Sequence, residues 1–214
     1  METDRLIESL AEGLKPAPPR QVPRRIATAA MVGAPLALIV VATLLGFRPD
    51  LAVAVLGMTF WMKSGYALSL AVAGFWCAER LARPAGSARG GAWLAASALA
   101  VLVAIGLADL MMAAPQDRLA MWLGKSWRTC PRNILLLAAP TLALALLAVR
   151  SLAPTRLVPA GAAAGLFAGG VATLVYCLHC PETGPAFVAT WYTLGVALSA
   201  AAGAALGPFV LRWR

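Results

Sequence analysis

Residues 157–182 decide the fold, and they read LVPAGAAAGLFAGGVATLVYCLHCPE. Leu157 to Tyr176 is an apolar run without a charge, and a second run follows from Phe187 to Leu211. Runs of this kind have the length of a membrane-spanning helix. The turn between them, Tyr176 to Glu182, holds two of the four cysteines and the only histidine. We therefore predict two membrane spans, with the reactive side chains of the chain at the turn that joins them.

The composition of the whole chain extends this prediction. Of the 214 residues, 61% are hydrophobic and only 13% are charged, and the mean hydropathy is +0.78. Charge this sparse cannot cover the surface of a soluble domain. We expect an all-α integral membrane bundle of six transmembrane helices within residues 26–214. The predicted spans are Ile26 to Phe47, Gly65 to Cys77, Ala92 to Ala114, Ile134 to Val149, Val158 to Tyr176 and Val188 to Leu211.

Lysine and arginine are unequally divided between the two predicted sides of the membrane. With these six spans, 12 of them lie on the side of both termini and 6 on the other side. Because cytoplasmic loops carry the excess of positive charge, we expect both termini to be cytoplasmic in a bacterial inner membrane. The turn at Cys180 would then face the periplasm, where disulfides persist. The net charge of +9 is spread over the loops, so we expect contact with the lipid bilayer and no direct contact with nucleic acid.

Residues 1–25 form a separate cytoplasmic segment. Thr3 to Leu14 has the 3.6-residue period of an amphipathic helix, and a proline-rich, extended spacer follows from Lys15 to Pro23. Acidic side chains four residues apart repel one another on an isolated helix, so this acidic face suits a basic protein partner. An incidental tail is the alternative. The predicted partner-binding residues are Asp4, Leu6, Ile7, Glu8, Leu10 and Leu14, and Glu12 extends the acidic row.

The outer loops hold further polar and aromatic residues. We interpret Phe60, Trp61 and Tyr66, close to Lys63, as anchors at the membrane interface. Pro115 to Arg132 predicts a helix that lies along the outer surface and leads to Cys130. Asp109 lies within the third span close to its outer boundary, where it is either a proton relay or a carboxylate that is solvated or paired with an arginine. Small residues in the fifth and sixth spans predict close packing of these two helices.

The role of the cysteines and the histidine has three possible interpretations. The first is a reversible disulfide, most naturally between Cys130 and Cys180, since both belong to outward loops while Cys177 is expected inside the fifth span. The second is a metal site that combines these cysteines with His179. The third is structural, with each thiol a small apolar side chain. The redox interpretation is favoured, so the predicted redox-sensing residues are Cys130, Cys180 and Cys177. Cys77 is expected to be inert.

Conventional catalysis has little support in this sequence. There is one histidine, no phosphate-binding glycine loop and no His-Glu-x-x-His motif. We expect a protein that is not an enzyme, with no catalytic residue, no cofactor and no resident metal.

The order of these features resembles the NrsF-like family of bacterial membrane anti-sigma factors. The resemblance covers nearly the whole chain. It depends on Thr3 to Ile7, Arg48 to Leu51, Ser126 to Cys130, Ala153 to Arg156, Gly161 to Gly170, Tyr176 to Glu182, Trp191-Tyr192 and Gly207 to Trp213.

The resemblance implies that the amino-terminal segment holds an extracytoplasmic-function sigma factor at the membrane, and that an outer stress signal releases it. The family's outer cysteines correspond to Cys130 and Cys180, whereas Cys177 is an additional thiol. Two other classes stay open: a small transporter or channel lined by Asp109 and the glycine-rich spans, and a membrane thiol oxidoreductase. The sequence also leaves open whether the chain forms a homo-oligomer.

Overall fold

A computed structural model describes residues 2–12, 21–83 and 86–212. These residues form helices and connecting turns, with no strand among them, which confirms the all-α prediction. The short helix α1 spans Glu2–Ala11. The long helices are α2 (Gln21–Val40, continued by the π-helical turn Val41–Leu45), α4 (Met58–Leu81), α5 (Arg89–Met112), α7 (Cys130–Arg150), α8 (Leu157–Tyr176) and α10 (Thr193–Val210). Three shorter helices connect them: α3 (Leu51–Ala54), α6 (Pro115–Leu123) and α9 (Pro185–Phe187), which leads into the π-helical turn Val188–Tyr192.

Five segments are long and apolar enough to cross a membrane: Gln21–Leu45, Arg89–Met112, Cys130–Arg150, Leu157–Tyr176 and Pro185–Val210. They correspond to five of the six predicted spans. The predicted second span lies within α4, which has 24 residues but also contains Lys63, Glu79 and Arg80. At 1.5 Å per residue α4 is about 36 Å long, as long as its neighbours, although it is less apolar.

Helix α8 is the centre of the bundle. It packs against α10, α4 and α7, while α2 packs on α7 and α5 lies at the edge beside α4. Glycines make the closest approaches possible: a Cβ added to Gly161 would collide with the backbone of Gly203, and one added to Gly170 would collide with Ala71. Small residues on α8 therefore let the backbones of α10 and α4 come close. The glycine pattern predicts the approach of α10 but not that of α4.

The two ends of the bundle differ in chemistry. One end, which we call the arginine end, has Glu79 as its acidic residue within the described ranges, and its carboxylate accepts from Arg83 Nε at 2.8 Å. Arg25 reaches Ser151 Oγ at 2.7 Å across this end. The other end, which we call the cysteine end, holds α3, α6, α9 and the turn after α8. The arginines of the arginine end are Arg24, Arg25, Arg80, Arg83, Arg89, Arg150, Arg156 and Arg212.

Two predictions about the first outer loop and the spacer are wrong. The loop ends at Met58, where α4 begins, and Phe60 and Tyr66 are 7% and 5% exposed, so they are core residues and not interface anchors. Trp61 alone of the three is exposed. The spacer was expected to be extended to Pro23, but α2 begins at Gln21, since proline is tolerated in the first turn of a helix. The rest of the spacer, and Leu14 before it, lie outside the described residues.

Candidate functional site

Three thiols meet at the cysteine end. Cys130 is the first residue of α7, and Cys177 and Cys180 lie in the turn after α8. All three are fully buried and free. The thiols of Cys130 and Cys180 adjoin each other, whereas that of Cys177 adjoins Ser64 and Tyr192. We call Cys130, Cys177 and Cys180 the thiol cluster.

The position of Cys177 differs from its prediction. The sequence places it inside the fifth span, but α8 ends at Tyr176 and Cys177 begins the turn. The last turn tightens, with the N–H of His179 bonded to the carbonyl of Tyr176 at 3.0 Å, and Pro181 has no N–H with which to continue. Cys77, by contrast, lies at the arginine end, where its sulfur is 3.5 Å from the carbonyl oxygen of Ala88. It takes no part in the thiol cluster.

The metal-site interpretation finds no support in the described ranges. No three side chains of histidine, cysteine, aspartate or glutamate there are grouped so that they could hold a metal ion. His179, the predicted nitrogen ligand, instead places its Nδ1 atom 2.7 Å from the carbonyl oxygen of Gly46. The backbone N–H of Arg48 also donates to the carbonyl of Leu178 at 3.1 Å. The loop after α2 is therefore tied to the turn after α8.

Two cations hold the backbone of the same turn. Lys63 is fully buried, and its Nζ donates to the carbonyl oxygens of Cys180 and Glu182, both at 2.9 Å. Arg48 is 6% exposed; its Nη1 lies 3.4 Å from the Cys180 carbonyl oxygen, and its Nε and Nη2 donate to Asp50 at 2.8 and 2.7 Å. The Cys180 carbonyl thus accepts from two cations, which fixes the turn beside the thiol cluster.

Glu182 connects the turn to the loop before α7. Its Oε1 accepts from the backbone N–H of Lys125 at 2.7 Å, and from both the N–H and the hydroxyl of Ser126 at 3.2 Å. Gly124 has a φ of +57°, and a Cβ there would lie 2.9 Å from Glu182 Oε2. The Ser126 hydroxyl is also 3.9 Å from the Cys180 sulfur. Ser126 therefore lies against the sulfur of Cys180, and the Glu182 carboxylate holds residues 124–126 in this position.

Aromatic rings fasten the same loop to the start of α10. The indole N–H of Trp122 donates to Thr190 Oγ1, and that of Trp191 donates to the carbonyl of Trp122, each at 3.0 Å. The Trp127 and Trp191 ring centroids are 5.4 Å apart, and the guanidinium of Arg128 lies 4.7 Å over the Trp127 ring. The predicted surface helix is α6, and it leads to Cys130 as expected, but Cys130 itself is buried.

The environment shifts the pKa values of the two thiols of the turn in opposite directions. The hydrogen bond from Cys130 lowers the pKa of the Cys180 thiol to about 6, against the opposing effect of burial, and Tyr192, the Glu182 N–H and Lys63 add to the lowering. Burial raises the pKa of the Cys177 thiol to about 11. Cys180 is therefore the sulfur of the turn that favours the thiolate.

Several residues of the site were not predicted. The sequence predicts Lys63 in a loop and assigns no role to Arg48, Glu182 or Tyr192. One signal in the sequence could have found Lys63, since a lysine within an otherwise apolar run of helical length indicates a buried, partnered cation. Asp109, for which the sequence leaves a proton relay or a solvated carboxylate open, is half-buried near the end of α5 and belongs to none of the ion pairs between described residues.

Helix α1 is the second predicted site. Its apolar side chains Leu6, Ile7 and Leu10 are 57%, 62% and 66% exposed, and Asp4 and Glu8 are exposed as well. The amphipathic helix expected from the sequence is therefore present, with its apolar face open.

Comparison with known proteins gives matches along the chain. Residues 10–213 match the family described as NrsF, negative regulator of sigma F. The chain is 43% identical over 219 residues to a protein named anti-sigma-F factor NrsF from Caulobacter vibrioides (strain NA1000 / CB15N), with all of both chains covered. It is 41% identical over 216 residues to a probable anti-sigma-F factor NrsF from Azospira oryzae, again with full coverage. No solved structure gives a significant match.

Proposed function

The chain belongs to the NrsF family of negative regulators of sigma F, and on that premise we propose that it is a membrane-bound anti-sigma factor that holds an extracytoplasmic-function sigma factor through α1. The family is one of negative regulators, which favours a regulatory role over a catalytic one. The transporter and thiol oxidoreductase alternatives are not favoured by this membership.

The observation that carries the proposal is the open apolar face of α1. Leu6, Ile7 and Leu10 are each more than half exposed on a helix of 10 residues. A helix this short is marginal by itself in water, so its amphipathic pattern is best explained by packing against a partner. The acidic residues Asp4 and Glu8 suit the basic surfaces with which a sigma factor meets DNA. Apolar and charged contacts together would mask those surfaces.

We place the arginine end in the cytoplasm and the cysteine end outside. The arginine end carries eight arginines from the described residues, a bias typical of the cytoplasmic side. Helix α4 leads from the cysteine end, where Lys63 contacts Cys180, to the arginine end, where Cys77 contacts Ala88. In this arrangement α4 also crosses the membrane, which brings the number of spans to six. Helix α1 then lies on the side where a sigma factor resides. The thiol cluster then faces a compartment in which disulfides form.

The thiol cluster is the proposed sensor of the release signal. Cys130 begins α7 and Cys180 follows α8, and both helices pack against α10. A disulfide has strict geometry, so a Cys130–Cys180 bond would change how the loop at residues 124–126 and the turn after α8 fit together. Bundles of close-packed helices respond to such a change by small shifts along their length. The shift would reach the arginine end and loosen the hold on the sigma factor.

Pull-down from detergent-solubilised membranes tests the anti-sigma role. We expect the unmodified chain to capture a sigma factor, identified by mass spectrometry, and the Leu6→Ala, Leu10→Ala double variant and Leu10→Asp to lose it while the protein still inserts. Ser9→Ala, on the same helix, is the matched control and should capture normally. Capture by both α1 variants at the level of the control would rule out α1 as the binding element.

Treatment of the captured complex with peroxide tests the sensor separately. We expect release from the unmodified chain and no release from Cys130→Ser or Cys180→Ser. Release from both serine variants at the normal level would remove the thiol sensor and leave the anti-sigma role intact.

A further inference from the structure

The hydroxyl of Tyr192 has no hydrogen-bond partner although it is completely buried. Tyr192 is 0% exposed, and its oxygen is one of two buried side-chain oxygens or nitrogens in the described ranges without a partner. Buried hydroxyls in native proteins nearly always have one, so each exception requires an explanation. The groups beside this hydroxyl are the thiols of Cys177 and Cys180. A neutral thiol is a weak acceptor, whereas a thiolate is a strong one.

Donors surround the sulfur of Cys180 in particular. The Cys130 thiol and the backbone N–H of Glu182 lower the pKa of this thiol, and the Ser126 hydroxyl lies 3.9 Å from its sulfur. Lys63 and Arg48 place two positive charges on the carbonyl of the same residue, at 2.9 and 3.4 Å. Groups that donate and carry positive charge stabilise an anion, and the unpartnered hydroxyl of Tyr192 completes this set.

We propose that Cys180 is the thiolate that reacts first with an oxidant, that Tyr192 donates the hydrogen bond that stabilises it, and that Cys130 supplies the second sulfur. Tyr192 is thus a positioning residue for the redox step. This inference rests on the thiol-sensor part of the proposed function. The titratable and charged groups around Cys180 are Cys130 from α7, Lys63 from α4, Arg48 from the loop after α2, Tyr176 at the end of α8, Cys177 and Glu182 from the turn after α8, and Tyr192.

The chemistry with a peroxide is balanced as follows. The Cys180 thiolate attacks one peroxide oxygen, the O–O bond breaks, and a sulfenic acid forms as hydroxide leaves. Cys130 then attacks the sulfur of that sulfenic acid. The S–O bond breaks, the proton of Cys130 leaves with the oxygen as water, and a Cys130–Cys180 disulfide remains. The two thiols are oxidised by two electrons, and the peroxide is reduced to two molecules of water once the hydroxide is protonated.

Cys177 is a poor candidate for either step. Its thiol lies beside Ser64 and Tyr192, and burial holds its pKa above the ordinary value. Its influence on Cys130 acts at a distance, whereas Cys180 contacts Cys130 directly. We expect Cys177 to stay reduced in the first oxidation step.

The test is the pH dependence of thiol modification in the full-length protein in detergent. A small reagent, methyl methanethiosulfonate, is used because the cluster is buried, and mass spectrometry assigns the modified cysteine. We expect Cys180 to react first, with a half-maximal rate below pH 7, and Tyr192→Phe to move that midpoint up by at least one pH unit. At pH 5, which is below both midpoints, the variant should react about tenfold more slowly, since one unit of pKa is there a factor of ten in thiolate.

Tyr66→Phe is the matched control. Its hydroxyl is also buried and bonds to Thr193 Oγ1 at 2.6 Å, but it does not belong to the thiol cluster. This control should lose stability without moving the midpoint. A Tyr192→Phe profile equal to that of the unmodified protein would overturn the role of Tyr192, and first modification of Cys130 or Cys177 would overturn the role of Cys180.

Two results separate this inference from the proposed function. If Cys180 reacts first but oxidation releases no sigma factor, the thiol chemistry stands and the sensor role fails. If Tyr192→Phe does not fold, the profiles of Cys180 and Cys177 in the unmodified protein, with sulfenic acid trapped by dimedone after peroxide treatment, decide the assignment. Trapping at any other cysteine would overturn it.

Discussion

Ser126 donates two hydrogen bonds to one carboxylate oxygen of Glu182, from its backbone N–H and from its hydroxyl, each at 3.2 Å. The Lys125 N–H adds a third at 2.7 Å. Hydrogen bonds to an ionised group are stronger than those between neutral groups. The Glu182 carboxylate therefore holds residues 124–126 beside the Cys180 sulfur, in addition to the tryptophan contacts of the same region.

Glu182→Ala should expose the thiol cluster. Loss of three hydrogen bonds to a carboxylate lets the covering loop open more often, and a change of about 1.4 kcal/mol is already a factor of ten in the open population. We expect modification of Cys180 by methyl methanethiosulfonate to be about tenfold faster, measured by mass spectrometry. Asp117→Ala, which removes an exposed carboxylate from α6, is the control. Equal rates in both variants would mean that Glu182 does not close the loop.

Lys63→Met should destabilise the bundle. Methionine fills a similar volume but cannot donate, so the Glu182 carbonyl loses its donor and the Cys180 carbonyl keeps only Arg48. A buried acceptor left without its partner costs roughly 1–3 kcal/mol. Thermal unfolding of the purified protein in detergent should show a lower midpoint. Lys125→Met, at an exposed side chain, should melt normally, and a Lys63→Met midpoint equal to that control would contradict the prediction.

Two glycine substitutions should have opposite effects. A Cβ on Gly161 meets the backbone of Gly203, whereas a Cβ on Gly65 meets nothing within 4 Å. Gly161→Ala should therefore cost about 1–3 kcal/mol by forcing α8 and α10 apart. Gly65→Ala should stabilise α4 by up to about 1 kcal/mol, because alanine favours the helix. Thermal unfolding of both variants measures the difference, and a loss of stability in both would show that the spacing of α8 and α10 is not the cause.

The acidic row of α1 should make sigma-factor binding sensitive to salt. Charge contacts at a surface are screened as ionic strength rises, with a Debye length of about 10 Å at 0.1 M and about 3 Å at 1 M. We expect affinity to fall with added salt, and a variant with Asp4→Asn, Glu8→Gln and Glu12→Gln to bind weakly at every salt concentration. The Leu6→Ala, Leu10→Ala variant should bind with lower affinity, but its affinity should depend on salt as strongly as that of the unmodified chain. If the affinity of the unmodified chain did not change with salt, the apolar face alone would determine binding.

The topology of α4 can be settled by reporter fusions. If α4 crosses the membrane with the five more apolar segments, both termini lie on one side; if it does not, they lie on opposite sides. We expect fluorescent protein fused to either terminus to be fluorescent, and alkaline phosphatase inserted in α6 at Asp117 to be active. An active phosphatase at the carboxyl terminus would exclude six spans with cytoplasmic ends.

The long helices could be predicted because their signal is local. Each of the five most apolar segments overlaps its predicted span closely; for example, the expected span from Val158 to Tyr176 is α8, Leu157–Tyr176. Length and the absence of charge are sufficient for this. The meeting of Cys130 and Cys180 could also be anticipated, because adjacent spans alternate in direction and bring their connecting loops to common ends.

The partners of the thiol cluster could not be predicted, because they come from distant parts of the chain. Lys63 reaches a carbonyl 117 residues away, and Glu182 reaches an N–H 57 residues away. The apolar residues around Lys63 indicate a buried cation, but nothing in the sequence shows which groups accept from it. Tyr192 lies in a π-helical turn, where the wider winding alters which side chains face the core, and this feature has no reliable sequence signal.

The buried lysine of α4 also has a consequence for how the protein is made. Lys63 is the sixth residue of α4, and its insertion costs at most the roughly 2.5–3.5 kcal/mol of a lysine at the centre of a span. Helix α4 is synthesised before the turn whose carbonyls accept from Lys63. The segment therefore reaches the translocon without its future partners. We expect α4 to stay at the translocon until α8 has been made, so that the two helices enter the lipid together. The order of synthesis and the order of integration into the bilayer would then differ for this helix.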